Sequence, residues 1–234
     1  GAGHAGVQAA ASLREEGYEG PVILVADEKE LPYHKPPLSK TFIKNSAAQP
    51  QILRADAFYS GARIEMMLGQ TVEAIDPVSR RIRLAGGTSI GFDRAILATG
   101  SRPRLLRFEG APPEGLLSLR SVTDARAIRD EAATVEDVVV IGGGFIGLEI
   151  AATARLLGKN VTVLEAADRL MGRVVAREIS AHFLGLHRGW GTDMRLGTAI
   201  GRVIGEGGRV VAVETASGNR IAADMVLIGI GVIP

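Results

Sequence analysis

The chain has 234 residues, of which 46% are hydrophobic and 23% are charged, so it can bury the core of one or two domains. Its 27 basic and 26 acidic residues leave a formal net charge of +1, which excludes a global field that gathers nucleic acid or anionic lipid. The sequence has no cysteine, which excludes disulfides, cysteine-ligated zinc or iron–sulfur centres and thiol chemistry within these residues. Because it shows neither an apolar run of membrane-spanning length nor a signal pattern, we predict a cytoplasmic location.

The chain begins with a glycine-rich loop, G-A-G-H-A-G at residues 1–6, and a helical pattern follows to about residue 16. A G-x-G-x-x-G loop normally follows a β-strand that directs it at the N-terminus of the first helix. No strand precedes this loop, and the sequence stops shortly after the apolar run 225–228. We therefore interpret the chain as an internal piece of a longer protein, lacking its first strand and a C-terminal portion.

The elements that follow the first helix are short and extended. A β-branched run at 22–26 predicts a strand that ends at Asp27, and residues 63–68, 71–76 and 80–84 predict three more. Residues 92–100 predict a further strand that ends in a small-residue turn. The segment 101–115 is rich in proline and arginine, and we predict that it is a linker.

A second glycine-rich loop, G-G-G-F-I-G at residues 142–147, repeats the first one. It follows a predicted strand at 137–141 and precedes a predicted helix at 145–157, on which Ile146, Ile150, Ala154 and Leu157 share one face. A strand at 160–165 completes a βαβ unit, and further strands are predicted near 201–204, 209–214 and 225–228.

Both units place an acidic residue at the end of their second strand. Asp27 lies 21 residues after Gly6, and Glu165 lies 18 residues after Gly147. Such a carboxylate accepts the ribose hydroxyls of a dinucleotide, while the glycines admit its pyrophosphate to the helix N-terminus. Glu28 is the alternative to Asp27. Two dinucleotide sites in one chain predict a flavin and a nicotinamide that exchange a hydride.

These elements predict an α/β fold of two tandem Rossmann-like dinucleotide-binding domains with three-layer ββα/β-meander architecture. We place an incomplete FAD-binding domain at residues 1–106 and an NAD-binding domain at residues 107–234.

Three motifs carry a resemblance to a known family: L-P-Y-H-K-P-P-L-S-K at 31–40, A-T-G at 98–100 and V-I-G-G-G-F-I-G-L-E at 140–149. Over essentially its whole length the chain resembles the FAD-dependent NADH:ferredoxin reductases of the putidaredoxin reductase and rubredoxin reductase type. These belong to the pyridine nucleotide–disulfide oxidoreductase superfamily, within which the P-P-L-S-K element marks this branch. The resemblance implies that the first loop binds FAD and the second binds NADH. It also implies that electrons then pass singly to a ferredoxin- or rubredoxin-type carrier that serves an oxygenase.

The resemblance implies a catalytic pair and two sets of cofactor contacts. Lys40 and Glu149 form the pair beside the flavin ring, and Glu149 is the only charged residue between positions 138 and 154. The predicted FAD contacts are Gly1, Gly3, His4, Ala5, Gly6, Asp27, Lys40, Val72, Ala98, Thr99, Gly100 and Arg120. The predicted NADH contacts are Gly142, Gly144, Phe145, Ile146, Gly147, Glu149, Glu165 and Gly229. Val72 and Arg120 rest on the resemblance alone.

The sequence bears on two choices, the nicotinamide cofactor and the acceptor of electrons from the flavin. Glu165 disfavours a 2′-phosphate and so favours NADH over NADPH, but the nearby Arg169 and Arg173 weaken that preference. The resemblance also implies that disulfide-reducing relatives carry a redox cysteine on the segment after the first βαβ unit. In this chain that segment holds Lys40 and no cysteine, so we expect electrons to leave for an external carrier.

Other acceptors remain open, including those of nitrite reductases or monodehydroascorbate reductases, as does an NADH-sensing role like that of apoptosis-inducing factor. We expect neither a membrane nor a nucleic-acid partner. The resemblance places the second FAD motif beyond Pro234, and we therefore expect residues 1–234 alone to retain flavin weakly or not at all.

Overall fold

The computed structural model describes residues 1–106 and 111–234, and these residues form six α-helices, one 3-10 helix at Pro36–Ser39 and fifteen β-strands. The helices are α1 His4–Glu15, α2 Thr41–Lys44, α3 Asp56–Gly61, α4 Val122–Ala132, α5 Phe145–Leu156 and α6 Arg177–Gly189. The strands are β1 Val22–Val25, β2 Ile64–Met67, β3 Val72–Asp76, β4 Arg81–Leu84, β5 Ser89–Gly91, β6 Arg102–Pro103, β7 Leu116–Ser118, β8 Asp137–Ile141, β9 Asn160–Leu164, β10 Asp193–Arg195, β11 Ile200–Glu206, β12 Arg209–Thr215, β13 Arg220–Ala222, β14 Met225–Ile228 and β15 Val232–Ile233.

The chain divides into two compact units. Unit 1 comprises Gly1–His34, Pro50–Ser101 and Pro234, and unit 2 comprises Lys35–Gln49 and Arg102–Ile233. Residues 107–110 belong to the predicted linker, and residue 107 begins the second predicted domain, but all four lie outside the described residues. No helix in the described part of the chain is both long and apolar enough to cross a membrane.

Unit 1 is built from two helices, a parallel strand pair and an antiparallel meander. Strands β1 and β2 pair in parallel, with Val22 opposite Ile64, and β3, β4 and β5 form a three-stranded antiparallel sheet. The core consists of apolar side chains from α1, the two parallel strands and α3: Val7, Ala10, Leu24, Tyr59 and Ile64. The small residues of α1 allow close packing on the strands, as the glycine-loop pattern predicts.

The strand predicted at residues 92–100 does not form. A strand requires a hydrogen-bonded neighbour, and among the described residues none pairs with this segment, where Ile96 and Leu97 are 62% and 69% exposed. In unit 2 the strand in the equivalent place is β14, which pairs with β8 immediately before the second glycine loop.

Unit 2 contains a five-stranded parallel sheet in the order β10-β9-β8-β14-β7. Helix α5 connects β8 to β9 on one side, whereas β14 joins β8 on the other side. The strand order therefore reverses at the carboxyl end of β8, which is where open α/β sheets bind ligands. Strands β11, β12 and β13 form the antiparallel meander, and both units show the predicted combination of parallel strands and meander.

Helix α5 buries a face that is rotated from the one shared by Ile146, Ile150, Ala154 and Leu157. Ile150 and Ala154 are buried, but Ile146 and Leu157 are partly exposed, and Gly147 and Ala151 complete the buried stripe instead. The third glycine of the loop causes this rotation, because its contact with the sheet brings position 147 and the positions four and seven residues later against the strands.

The segment Lys35–Gln49 belongs to unit 2 although unit 1 surrounds it in sequence. It buries Leu38, Phe42 and Ile43. Arg129 of α4 places its guanidinium carbon 5.1 Å from the centre of the Phe42 ring and donates to the Ser46 carbonyl at 3.1 Å. These contacts fix the segment that follows the P-P-L-S-K motif to helix α4.

His187 is expected to make the stability of unit 2 dependent on pH. Its ring is buried on α6, its Nδ1 has no hydrogen-bond partner among the described residues, and burial lowers the pKa of the imidazole below its ordinary value of 6.5. The unfolded chain therefore binds a proton more readily than the folded chain, so stability falls as pH drops below that value. We expect the melting temperature to fall between about pH 7.5 and about pH 5.5, and His187→Leu to remove much of this fall in thermal denaturation.

The exposed His182 on the same helix provides the control. His182→Asn should keep the pH dependence of the parent protein. An unchanged pH dependence in His187→Leu would show that another group is responsible.

Candidate functional site

The first glycine loop, at residues 1–6, has a backbone path that only glycine permits. A Cβ on Gly1 would overlap the carbonyl oxygen of Ala98, and a Cβ on Gly6 would overlap the carbonyl oxygen of Gly1. Gly1 and Gly6 therefore let the loop pack against segment 92–100 and against its own first turn. Gly3 is different, because no heavy atom of the described residues lies within 4 Å of the position that its Cβ would take.

The second glycine loop, at residues 142–147, repeats this arrangement in unit 2. A Cβ on Gly142 would lie 2.5 Å from the Gly229 carbonyl oxygen, and a Cβ on Gly147 would overlap the Gly142 carbonyl. Gly142 also has a φ of +107°, which other residues rarely adopt. Gly229 follows β14 and donates its N–H to the Ile141 carbonyl at 2.7 Å, so the predicted turn lies directly against this loop.

The middle glycines of the two loops leave space beside the helix N-termini. A Cβ on Gly144 would find only the Gly229 carbonyl oxygen, at 4.0 Å, just as Gly3 has free space in unit 1. Helices α1 and α5 begin at His4 and Phe145, immediately after these glycines. A helix N-terminus offers free N–H groups and a partial positive charge to an anion. Each loop therefore fits a pyrophosphate, whose approach a side chain at the middle glycine would obstruct.

Glu165 fixes the second loop through its carboxylate. It directly follows β9, its Oε2 accepts the Gly143 N–H at 2.6 Å, and its Oε1 accepts the Ala167 N–H at 2.8 Å. A carboxylate has about four acceptor positions, so each oxygen can still accept a ribose hydroxyl. The structure thus brings the predicted acid together with the predicted loop.

In unit 1, Asp27 is the exposed carboxylate near the end of β1, and its Oδ1 accepts the Glu28 N–H at 3.0 Å. Glu28 accepts a hydrogen bond from the Tyr33 hydroxyl. This contact favours Asp27 over Glu28 as the ribose acceptor. His4 places its Nε2 3.1 Å from the Nδ1 of His34, so its side chain has a partner within the unit.

Lys40 and Glu149 form an ion pair within unit 2. The Lys40 Nζ lies 2.8 Å from the Glu149 Oε1, and the two side chains are 47% and 34% exposed. Lys40 directly precedes α2, and Glu149 lies in the second turn of α5. The pair that the resemblance implied is therefore formed, although the two residues are 109 positions apart in sequence.

Ser39 and Thr153, which are not among the predicted site residues, hold this pair. Ser39 donates its hydroxyl to the Glu149 Oε2 at 2.5 Å, and the Ser39 carbonyl accepts the Thr153 hydroxyl at 2.8 Å. Both Ser39 and Thr153 are buried. Ser39 lies inside the P-P-L-S-K motif, and Thr153 lies four residues after Glu149, which is the spacing of neighbours on one helix face. This four-residue spacing is the sequence signal that could have identified Thr153 as a neighbour of Glu149.

The other predicted residues have varied environments. Phe145 and Ile146 are exposed in the first turn of α5, beside the second loop.

The remaining predicted FAD contacts lie on several elements. Arg120 precedes the N-cap Ser121 of α4, and the Lys35 ammonium lies 3.4 Å from the Arg120 carbonyl oxygen. Val72 begins β3 and is partly exposed. Ala5 is exposed in the first turn of α1, and Thr99 and Gly100 are exposed after the Ala98 carbonyl that meets Gly1.

The guanidinium of Arg169, the arginine nearest to Glu165 in sequence, is hydrogen-bonded to backbone carbonyls. Arg169 donates from Nη1 to the Val175 carbonyl at 2.8 Å and from Nη2 to the Gly172 carbonyl. Its guanidinium therefore holds the turn that follows β9. Of the two arginines that left NADPH open, only Arg173 is exposed.

Comparisons with known proteins agree with this geometry. The family model for pyridine nucleotide-disulphide oxidoreductases matches residues 1–234. The chain is 41% identical to a ferredoxin–NAD(P)(+) reductase of Sphingomonas sp and 42% identical to rhodocoxin reductase of Rhodococcus erythropolis, and all of it aligns with each. A crystal structure of the ferredoxin reductase for the CYP199A2 system from Rhodopseudomonas palustris superposes over the whole chain with a TM-score of 0.95 and 42% identity.

The chain spans little more than half the length of these proteins: 57% and 55% of the two reductases and 58% of the crystallised one. The resemblance inferred from the motifs is confirmed, and so is the fold of parallel strands with meanders. The chain belongs to the pyridine nucleotide-disulphide oxidoreductase family.

Proposed function

We propose that this chain is the dinucleotide-binding part of an FAD-dependent NADH:ferredoxin reductase that serves an oxygenase. The observation that carries the proposal is the pair of glycine loops, each with a free middle glycine and an acidic residue after the second strand. A chain with two such loops can hold an electron donor and an electron acceptor that are both dinucleotides. When bound, FAD accepts a hydride equivalent from NADH and releases electrons one at a time.

Each part of the chain has a defined task in this proposal. The first loop and Asp27 hold the pyrophosphate and ribose of FAD, and the second loop and Glu165 hold those of NADH. The Lys40 ammonium compensates the negative charge that reduction places on the flavin, and Glu149 holds that ammonium in place. We assign the FAD role to residues 1–106 and the NADH role to residues 107–234, with segment Lys35–Gln49 belonging structurally to unit 2.

The acceptor is a ferredoxin- or rubredoxin-type carrier. Support comes from the names of the relatives, two of which are ferredoxin reductases and one of which is a rhodocoxin reductase. Residues 1–234 contain no cysteine, so no disulfide within them can accept electrons from the reduced flavin. An external carrier is then the natural outlet. The cytoplasmic location stays a prediction.

Anaerobic stopped-flow absorption tests the proposal on the complete native polypeptide reconstituted with FAD. We expect NADH to bleach the oxidised-flavin band rapidly, and an added ferredoxin or rubredoxin to restore it. If the flavin stays oxidised after NADH is added, the proposed hydride transfer from NADH to FAD is wrong. If it is reduced but transfers electrons to none of the carriers, an acceptor such as nitrite or monodehydroascorbate becomes the better assignment.

The preference for NADH should depend on the charge of Glu165. We expect Glu165→Gln to raise the ratio of kcat/KM for NADPH to that for NADH by about tenfold, because a 2′-phosphate no longer meets a carboxylate. Steady-state kinetics with both nucleotides measures this ratio. Glu178→Gln, which removes an exposed carboxylate from α6, is the matched control and should leave the ratio unchanged. An equal ratio in parent and Glu165→Gln would remove Glu165 from the specificity site.

A further inference from the structure

The buried side chain of Ser39 lies next to the charged carboxylate of Glu149. The side chain is 4% exposed, and its single hydroxyl proton can be donated to only one acceptor. The Glu149 Oε2 lies at 2.5 Å and the Pro36 carbonyl oxygen at 3.4 Å. Because a carboxylate is the stronger acceptor and is also the closer one, the hydroxyl donates to Glu149.

Helix α5 contacts Ser39 at two points. Glu149 accepts from its side chain, and Thr153, one turn later on the same face, donates to its carbonyl at 2.8 Å. The second hydrogen bond is buried, so its loss would leave a desolvated carbonyl without a partner. Ser39 is therefore fixed in both backbone and side chain relative to α5.

This fixation determines how Glu149 meets Lys40. The two carboxylate oxygens are divided between neighbouring residues, Oε2 to Ser39 and Oε1 to Lys40 at 2.8 Å. The carboxylate therefore cannot rotate without losing one contact. The ammonium of Lys40 has one further acceptor, the Pro36 carbonyl at 3.2 Å.

A partly exposed ion pair of this kind does not hold its own geometry. Exposed lysine–carboxylate pairs contribute at most about 1 kcal/mol, because solvent screens them and the lysine loses side-chain entropy. Lys40 is 47% exposed, so its contact with Glu149 fixes its position better when the carboxylate itself is held by a buried group. Ser39 provides such a group, and it contacts the carboxylate on the side opposite to the lysine.

We infer that Ser39 is a positioning residue that acts through Glu149 to hold the Lys40 ammonium in one place for flavin reduction, with Thr153 fixing Ser39 in turn. The inference rests on the proposed function for its role in reduction. The part of the inference that concerns only the geometry of Lys40 and Glu149 can be measured without turnover.

The first measurement is the side-chain order of Lys40 in the complete native polypeptide loaded with FAD, from ¹³C relaxation of selectively labelled lysine. In Ser39→Ala we expect the order of Lys40 to fall towards that of Lys44, an exposed lysine four residues later. Thr215→Val is the control: it removes a buried hydroxyl that accepts the Asn219 N–H at 3.1 Å in the meander of the same unit. That variant should lose stability without changing Lys40.

The second measurement is the rate of flavin reduction by NADH in a double-mutant cycle. Ser39→Ala should slow reduction at saturating NADH by about tenfold with little change in the dissociation constant of NADH. In a Glu149→Gln background the same substitution should slow reduction by less than about twofold, because Ser39 can no longer act on Lys40 through the Glu149 carboxylate.

Two results would overturn the inference. One is an unchanged order of Lys40 in Ser39→Ala, and the other is a slowing that is as large on the Glu149→Gln background as on the parent protein. If NADH does not reduce the flavin of the parent protein at all, the proposed function fails. The order of Lys40 then still decides whether Ser39 positions the pair.

Discussion

Replacing Gly144 by alanine is expected to weaken NADH binding by about 100-fold while leaving unit 2 folded. The new Cβ would have ordinary space within the protein, since its nearest neighbour is the Gly229 carbonyl oxygen at 4.0 Å and the φ of −85° suits any residue. The loss of a glycine N-cap on α5 should cost about 1 kcal/mol or less. The methyl group would, however, occupy the space that the pyrophosphate needs at the helix N-terminus. Titration of the complete, FAD-loaded native polypeptide with NADH and a thermal melt separate the two effects.

Two other glycines of unit 2 serve as comparisons for this variant. Gly185→Ala, in the exposed part of α6 where a Cβ meets nothing within 4 Å of the described residues, should bind NADH normally. Gly147→Ala should behave in the opposite way to Gly144→Ala and lose stability, because its Cβ would overlap the Gly142 carbonyl. If Gly144→Ala binds NADH as tightly as the parent protein, the second loop is only a tight turn.

Replacing Lys40 by methionine should slow reduction of the flavin by NADH by about 100-fold. Methionine keeps most of the aliphatic stem and removes the ammonium, so Glu149 retains only the Ser39 hydroxyl as a partner in this network. The dissociation constant of NADH should change by less than about threefold, because the charge acts on reduction and not on nucleotide binding. Stopped-flow kinetics over a range of NADH concentrations measures both quantities.

Lys44→Met is the matched control for this charge change. Lys44 ends α2, is exposed, and carries the same formal charge four residues from Lys40. Its replacement should leave the reduction rate unchanged. Equal rates in Lys40→Met and the parent protein would show that the ion pair stabilises the fold without assisting the reaction.

The features that the sequence predicted correctly depend on local patterns. The two glycine loops, the helices that follow them and the acidic residues after the second strands lie within short stretches whose spacing is dictated by the dinucleotide. Nine of the short strands, including β8, β12 and β14, were predicted within two residues of their ends from the local pattern of apolar residues. The assignment of each cofactor contact stays a prediction, because sequence spacing cannot show a bound ligand.

The features that the sequence did not predict depend on distant neighbours. Residues 92–100 have the composition of a strand, but pairing requires a partner that composition does not reveal. The buried face of α5 is set by the contact of Gly147 with Gly142 and the sheet. Ser39 gave no signal of its own, because its partner lies 110 positions later in the chain.

The inserted segment Lys35–Gln49 has a consequence for biosynthesis. Ribosomes would release it before residues 50–101 complete unit 1, and long before α4 and α5 of unit 2 exist to cover it. Until then Leu38, Phe42 and Ile43 have no partner for their apolar surface, which makes the nascent chain a candidate for chaperone capture. A cut at residue 106 would make that exposure permanent. The two halves of this chain are therefore poor candidates for separate expression, although each has its own glycine loop.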